Sequence, residues 1–110
     1  MHTLKVQEKY YNLLKSGVKT IELRLFDEKR RAIKIGDIIE FSNVSNADDK
    51  FKAKVVNLHR AGNFKALCEE IDCRSAGFAT DEELIKALGG FYSMERQKEF
   101  GVVGIEIERV

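Results

Sequence analysis

The sequence predicts an α+β protein built on a small, mostly antiparallel sheet. Three observations carry that. Strand-like segments occupy the first half and the end of the chain, at 4–6, 18–25, 37–42, 51–58 and 102–107. Helical spacing clusters at 64–99, so strands and helices do not alternate as a doubly wound sheet would require. The third observation is size. A chain of 110 residues buries a real but modest core, and a sheet that covers these strands must curl. A small barrel with helices packed at one side and an open α+β sheet both meet these demands.

Each element has a local reason. Leu4 and Val6 make a short first strand. Val6, Tyr10, Leu13 and Leu14 then recur at helical spacing over 7–16, and Gly17 stops the helix. Residues 18–25 alternate as a strand, and Phe26 to Ala32 form a charged connector. Gly36 turns the chain into a strand at 37–42, followed by a polar hairpin-type loop from Asn43 to Asp49. Phe51 to Leu58 is a longer strand. Asn63 caps a helix at 64–71. Thr80-Asp81-Glu82-Glu83 is a capping box opening a helix to Leu88, which Gly89-Gly90 ends. Ser93 caps a last helix to Glu99, and Val103, Ile105 and Ile107 mark the closing strand. No repeat, linker or low-complexity segment interrupts this order.

Composition narrows the function. Hydrophobic residues make up 44% and charged residues 34%, the balance of a globular chain. No apolar run approaches the roughly 20 residues of a membrane helix. The first residues lack a signal-peptide core, and the expected location is the cytoplasm. Cys68 and Cys73 form one Cys-x4-Cys spacing without a second pair or nearby His, so no metal site is expected. The net charge of +1 argues against non-specific binding along a long nucleic acid. The charge is uneven, though: residues 1–34 hold nine Lys/Arg against four Asp/Glu. An anionic ligand is expected in that basic third.

The segment from Lys19 to Arg24 is the most informative. Thr20, Glu22 and Arg24 share one strand face at about 6.6 Å spacing, and Ile21, Leu23 and Leu25 share the other. A hydroxyl, a carboxylate and a guanidinium in register suit a polar or anionic ligand. A solvated face with a Glu22–Arg24 pair explains the same pattern. Lys19 at the strand entrance is a candidate phosphate ligand or, if desolvated, a proton acceptor. Arg24 offers a planar fork for a phosphate or a base edge. Tyr92 is a candidate stacking surface, and Ser93 a phosphate ligand or a helix cap. His59 and Arg60 end the long strand and are candidates to border the same cleft. No Gly-rich phosphate loop, His-x3-His pair or Gly-x-Ser-x-Gly elbow is present, and no cofactor is expected.

The ordered pieces Gly17-x-Lys19-Thr20-Ile21-Glu22-x-Arg24, Gly36-Asp37-x-Ile39-x-Phe41 and Tyr92 to Ile107 resemble the ASCH domain, a branch of the PUA-like superfamily. The resemblance spans nearly the whole chain as one domain. It implies a PUA-like, mostly antiparallel barrel with flanking helices. It also implies RNA or nucleotide binding in a cationic cleft beside the Lys19–Arg24 strand. Some small members are similar to amidohydrolases that remove an acyl group from acetylated cytidine, using a Lys, a Thr three residues later and a distant Glu. Lys19 matches the Lys, Glu22 stands at the Thr position, and Glu69 or Glu70 are candidates for the distant Glu. Other members resemble ribonucleases using Lys and Tyr, which points to Lys19 and Tyr92. The sequence thus predicts a binding module for RNA or a nucleotide, with Lys19, Thr20, Glu22, Arg24, Arg60, Tyr92 and Ser93 at the site. The alternatives are a small hydrolase with Lys19 and Glu22 as its reactive pair, and a protein-interaction module.

Overall fold

The computed structural model describes residues 1–110. Its strands are β1 (His2–Val6), β2 (Ile21–Leu25), β3 (Ile38–Asn43), β4 (Asn46–Ala61) and β5 (Val102–Arg109). They form one curled sheet in the order β1-β3-β4-β5-β2. Three of the four ladders are antiparallel, and β1 runs parallel to β3. The sheet is a half-barrel: β1 and β2 are its two free edges and do not pair with each other. A bulge between Val55 and Asn57 in β4 shifts its register against β5 and supplies part of the bend.

The helices are α1 (Glu8–Ser16), α2 (Glu28–Arg31), α3 (Phe64–Leu67), α4 (Asp81–Phe91) and α5 (Met94–Phe100), with a 3-10 turn at Cys73–Ala76. The caps fall where the sequence puts them. Gly17 closes α1 by donating to Leu14 O, and the side chains of Asn63, Thr80 and Ser93 accept from Ala66 N, Glu83 N and Arg96 N.

Several boundaries differ from the sequence reading. The second strand starts at Ile21 rather than residue 18, because Thr20 N–H donates to Ser75 O outside the sheet. The 64–71 helix is a single turn, after which Asp72 caps the separate 3-10 turn. Gly89-Gly90 do not end α4. Leu84 and Leu88 anchor its buried face, and Tyr92 N–H continues the ladder to Leu88 O. The hairpin loop is tighter than Asn43–Asp49, since β4 begins at Asn46, and the charged connector contains α2.

Two buried clusters hold the fold. One lies inside the curl, where Leu4, Val6, Ile39, Phe41, Val55, Val103, Ile105 and Ile107 meet Tyr11 and Leu14 of α1. The other lies between the outer side of β2 and the helices. It joins Ile21, Leu23 and Leu25 to Phe64, Leu67, Leu84 and Leu88.

Candidate functional site

Strand β2 is buried on both faces, and that creates the site. Leu23 and Leu25 pack outward onto α3 and α4. Glu22 lies opposite Ile105 and Arg24 opposite Val103 in the β2–β5 ladder. Opposed residues project from the same face, so the polar row points into the curl beside the inner core. Glu22 is 5% exposed and Lys19, just before the strand, is 2% exposed.

Buried charges must be paired, and these are. Glu22 Oε1 lies 3.3 Å from Lys19 Nζ. Glu22 Oε2 accepts from Arg24 Nε at 3.0 Å and from Arg24 Nη2 at 2.8 Å. Lys19 Nζ donates to Ala76 O at 2.7 Å and sits near the rings of Tyr10 and Phe78, at 5.5 and 5.9 Å from their centroids. The lysine stem packs on Gly77, whose φ of +92° would strain a side chain and whose would-be Cβ comes a tight 3.2 Å from Lys19 Cδ. Burial alone would raise the Glu22 carboxyl. The Lys19 ammonium and Arg24 guanidinium overcome that and hold it below the ordinary carboxylate range. Burial pushes the Lys19 ammonium down, against the opposing pull of Glu22.

Arg24 also crosses the open seam. Its Nη2 donates to Lys5 O on β1 at 2.7 Å, so one guanidinium ties the two free edges of the half-barrel together. Above this bridge lies a cleft of about 190 Å³, floored by Lys19, Glu22, Leu23 and Arg24. Its rim comes from Lys5, Val6 and Gln7 on one side and Phe78, Leu88, Phe91 and Tyr92 on the other, with Tyr10 and Val44 completing the wall. Phe91 is 49% exposed, an aromatic face presented at the mouth. Tyr92 stacks on Phe64 at 5.9 Å, which fixes its ring.

Of the residues singled out in the sequence, Lys19, Glu22, Arg24 and Tyr92 meet at this cleft. Thr20 does not line it; its backbone joins the 3-10 turn and β5 through bonds to Ser75 O and from Ile107 N. Arg60 covers the ring of Phe26, 4.1 Å from its centroid, away from the cleft. Ser93 caps α5 through Arg96 N at 3.2 Å. His59 pairs with Glu106 at 2.8 Å on the outer side of the sheet. Glu69 and Glu70 are exposed after α3 and are not part of the cleft wall.

Residues 4–110 match the ASCH domain. The chain belongs to the ASCH domain family. Its fold is similar to the crystal structure of hypothetical protein PH0355, with a TM-score of 0.85 and 41% identity over 98% of this chain and 97% of that one. It is also similar to the solution NMR structure of protein PF0455 from Pyrococcus furiosus, with a TM-score of 0.74 and 33% identity over 99% and 96% of the two chains. No curated protein matches the chain.

Sequence reasoning missed most of this ASCH domain's cleft wall. Lys5 lies in β1 and Gln7 just after it, and Tyr10, Phe78 and Phe91 come from α1, the segment after the 3-10 turn, and α4. The only available signal was aromatic residues on otherwise polar segments. The sequence reads both Tyr10 and Tyr11 as half-buried, and Tyr10 is, whereas Tyr11 is fully buried.

Proposed function

We propose that this protein binds single-stranded RNA, holding one base in the cleft at the open seam between β1 and β2. The observation that carries this reading is the pairing of a guanidinium floor with an aromatic rim in one recess. Arg24 keeps Nη1 free of the bonds that Nε and Nη2 make to Glu22 and Lys5. Phe91 and Tyr92 offer flat apolar surface above it. Aromatic rings that stack bases beside cations that meet phosphates are the usual equipment of single-strand binding. The volume lies below the ~300 Å³ lower bound of drug-sized pockets, a size for one ring system with the sugar-phosphate outside. ASCH domains are in general linked to RNA binding, which supports the same reading. A protein-interaction module fits less well, because Lys19 and Arg24 line a recess rather than a flat surface.

The amidohydrolase reading meets a chemical obstacle. Glu22 stands where the resemblance calls for a hydroxyl nucleophile. Both its oxygens are engaged, and its carboxyl is held below the ordinary range. A carboxylate so held is a weak general base. The ribonuclease reading needs Lys19 to meet substrate, but its ammonium is spent on Ala76 O and Glu22. Incubation with acetylcytidine is therefore expected to leave it intact.

The binding test is a fluorescence anisotropy titration with a labelled short single-stranded RNA. Phe91→Ala should weaken binding by about tenfold, the scale of one lost base–aromatic stack. Arg24→Ala should weaken it similarly, through the lost charge-assisted hydrogen bond to the base. Affinities equal to wild type in both folded variants would remove the cleft from RNA binding.

A further inference from the structure

The register of β2 says which polar groups the seam itself offers. In an antiparallel ladder, alternate residues turn N–H and C=O toward the partner and the rest turn theirs away. Ile107 N–H donates to Thr20 O, and Phe26 N–H donates to Gly101 O. Those two bonds, with the regular register between them, place Thr20, Glu22, Arg24 and Phe26 on the β5 side. Leu23 therefore turns its N–H and C=O toward the seam. On β1 the phase is fixed the same way. Val44 N–H donates to Val6 O, whereas Lys5 O takes the Arg24 guanidinium across the gap. Lys5 thus turns its N–H toward the seam as well. The strands run antiparallel across the gap but form no ladder. Leu23 is only 4% exposed and lines the cleft. Buried main-chain groups need partners, and here they face the cleft, where water or a bound group meets them.

The inventory of groups selects that occupant. Leu23 supplies one donor and one acceptor side by side. Everything else at that level donates: Lys5 N–H and the free side of the Arg24 guanidinium. The Glu22 carboxylate, the one strong acceptor nearby, is consumed by Lys19 and Arg24. A complementary edge therefore carries one N–H flanked by carbonyl oxygens. We infer that the cleft selects a pyrimidine imide, the uracil-type base, and reads its N–H and carbonyls through the main chain of Leu23 and the donors of Lys5 and Arg24. A cytosine edge runs donor–acceptor–acceptor, an adenine edge donor–acceptor and a guanine edge acceptor–donor–donor, so none of them sets its donor between two acceptors. This inference rests on the RNA-binding reading and assigns its base preference.

Short RNAs of equal length that differ in one central base would test it, in a background of abasic residues. A central uridine should bind at least about tenfold more tightly than cytidine or adenosine, the discrimination expected of a paired edge. Methylation at N3 of that uridine should remove the preference, while methylation at C5 should keep it. In NMR spectra of the labelled protein, the Leu23 amide proton should move downfield and exchange more slowly with the uridine RNA. Equal affinities for uridine, cytidine and N3-methyluridine would overturn the base assignment and leave RNA binding standing. An unmoved Leu23 amide with a retained preference would overturn the main-chain mechanism. No binding to any of these RNAs would overturn both readings at once.

Discussion

The two faces of β2 make the useful comparison in this molecule. One carries Ile21, Leu23 and Leu25 and packs against the helices. The other carries Glu22 and Arg24, with Lys19 at its start, and is also turned inward. Both faces lose water, but only the first gains hydrophobic stabilisation from doing so. The second must recover the cost of two buried charges, Lys19 and Glu22, and of the half-buried Arg24 through pairing, which seldom repays the loss in full. Alternation of apolar and polar residues usually marks an inside and an outside. Here it marks a packing face and a site face, because the sheet curls over the polar row.

Removing the carboxylate at the centre of that row should have the largest effect. Glu22→Ala leaves the buried Lys19 ammonium and the half-buried Arg24 guanidinium without their carboxylate, at a cost of about 3–5 kcal/mol. The sign of the pH dependence follows from the same pairing. The Glu22 carboxyl is held below its unfolded value, so its contribution is present above that value and lost as pH falls through the folded one. Urea titrations at neutral and acidic pH should show wild type losing this increment on acidification and Glu22→Ala having none to lose. A variant within ~1 kcal/mol of wild type at neutral pH would mean that the row is more hydrated than its burial implies.

The outer face should respond in a different way. Leu25 is 2% exposed within the helix-facing cluster, and Leu25→Ala should cost about 2–4 kcal/mol through lost burial and a residual cavity. Its RNA affinity, measured where the variant is folded, should match wild type, since Leu25 does not line the cleft. A Leu25→Ala protein that lost affinity as much as stability would couple the two faces and break the comparison.

A smaller loss is expected away from β2. Gly36, with φ of +96°, donates its N–H to Val55 O at 2.8 Å at the start of β3. A Cβ there meets no neighbouring atom within 4 Å, so backbone strain is the whole penalty. Gly36→Val should cost roughly 1–3 kcal/mol by urea titration, with RNA affinity unchanged. An unchanged midpoint would show that the turn relaxes to a negative φ.

How far the sequence could be read follows from the same contrast. The features that depend on a few adjacent residues were legible: Gly17 as a helix stop, the Asn63, Thr80 and Ser93 caps, and the closing strand. The polar row itself was legible as Lys19, Glu22 and Arg24. Its burial was not, because that depends on the curl of the sheet and on Ala76 O from a segment far along the chain. The same limit hid the cleft wall, whose aromatics come from separate elements. It also put Thr20 and Arg60 in the expected set. Thr20 precedes the strand, and the bulge in β4 determines where Arg60 emerges. The parallel β1–β3 pair was likewise invisible, since no local pattern distinguishes a parallel edge.

The smallest expected effect tests the inner core on the far side of α1 from the cleft. Tyr11 is fully buried, and its hydroxyl donates to Asp49 Oδ1 at 2.8 Å, where Lys15 Nζ also donates at 2.8 Å. Burial, and then the bond and charge of Asp49, push the Tyr11 phenol up from 10.0 to about 12. A folded value above the unfolded one means that the phenol's contribution is full below pH 10 and lost as pH rises toward 12. Tyr11→Phe should therefore cost about 1 kcal/mol at neutral pH, the worth of one hydrogen bond, and RNA binding should not change. An alkaline titration followed by tyrosinate absorbance should show a late-ionising phenol in wild type that the variant has lost. If that late fraction persists in Tyr11→Phe, the raised phenol belongs to another tyrosine, and the Tyr11–Asp49 bond does not set it.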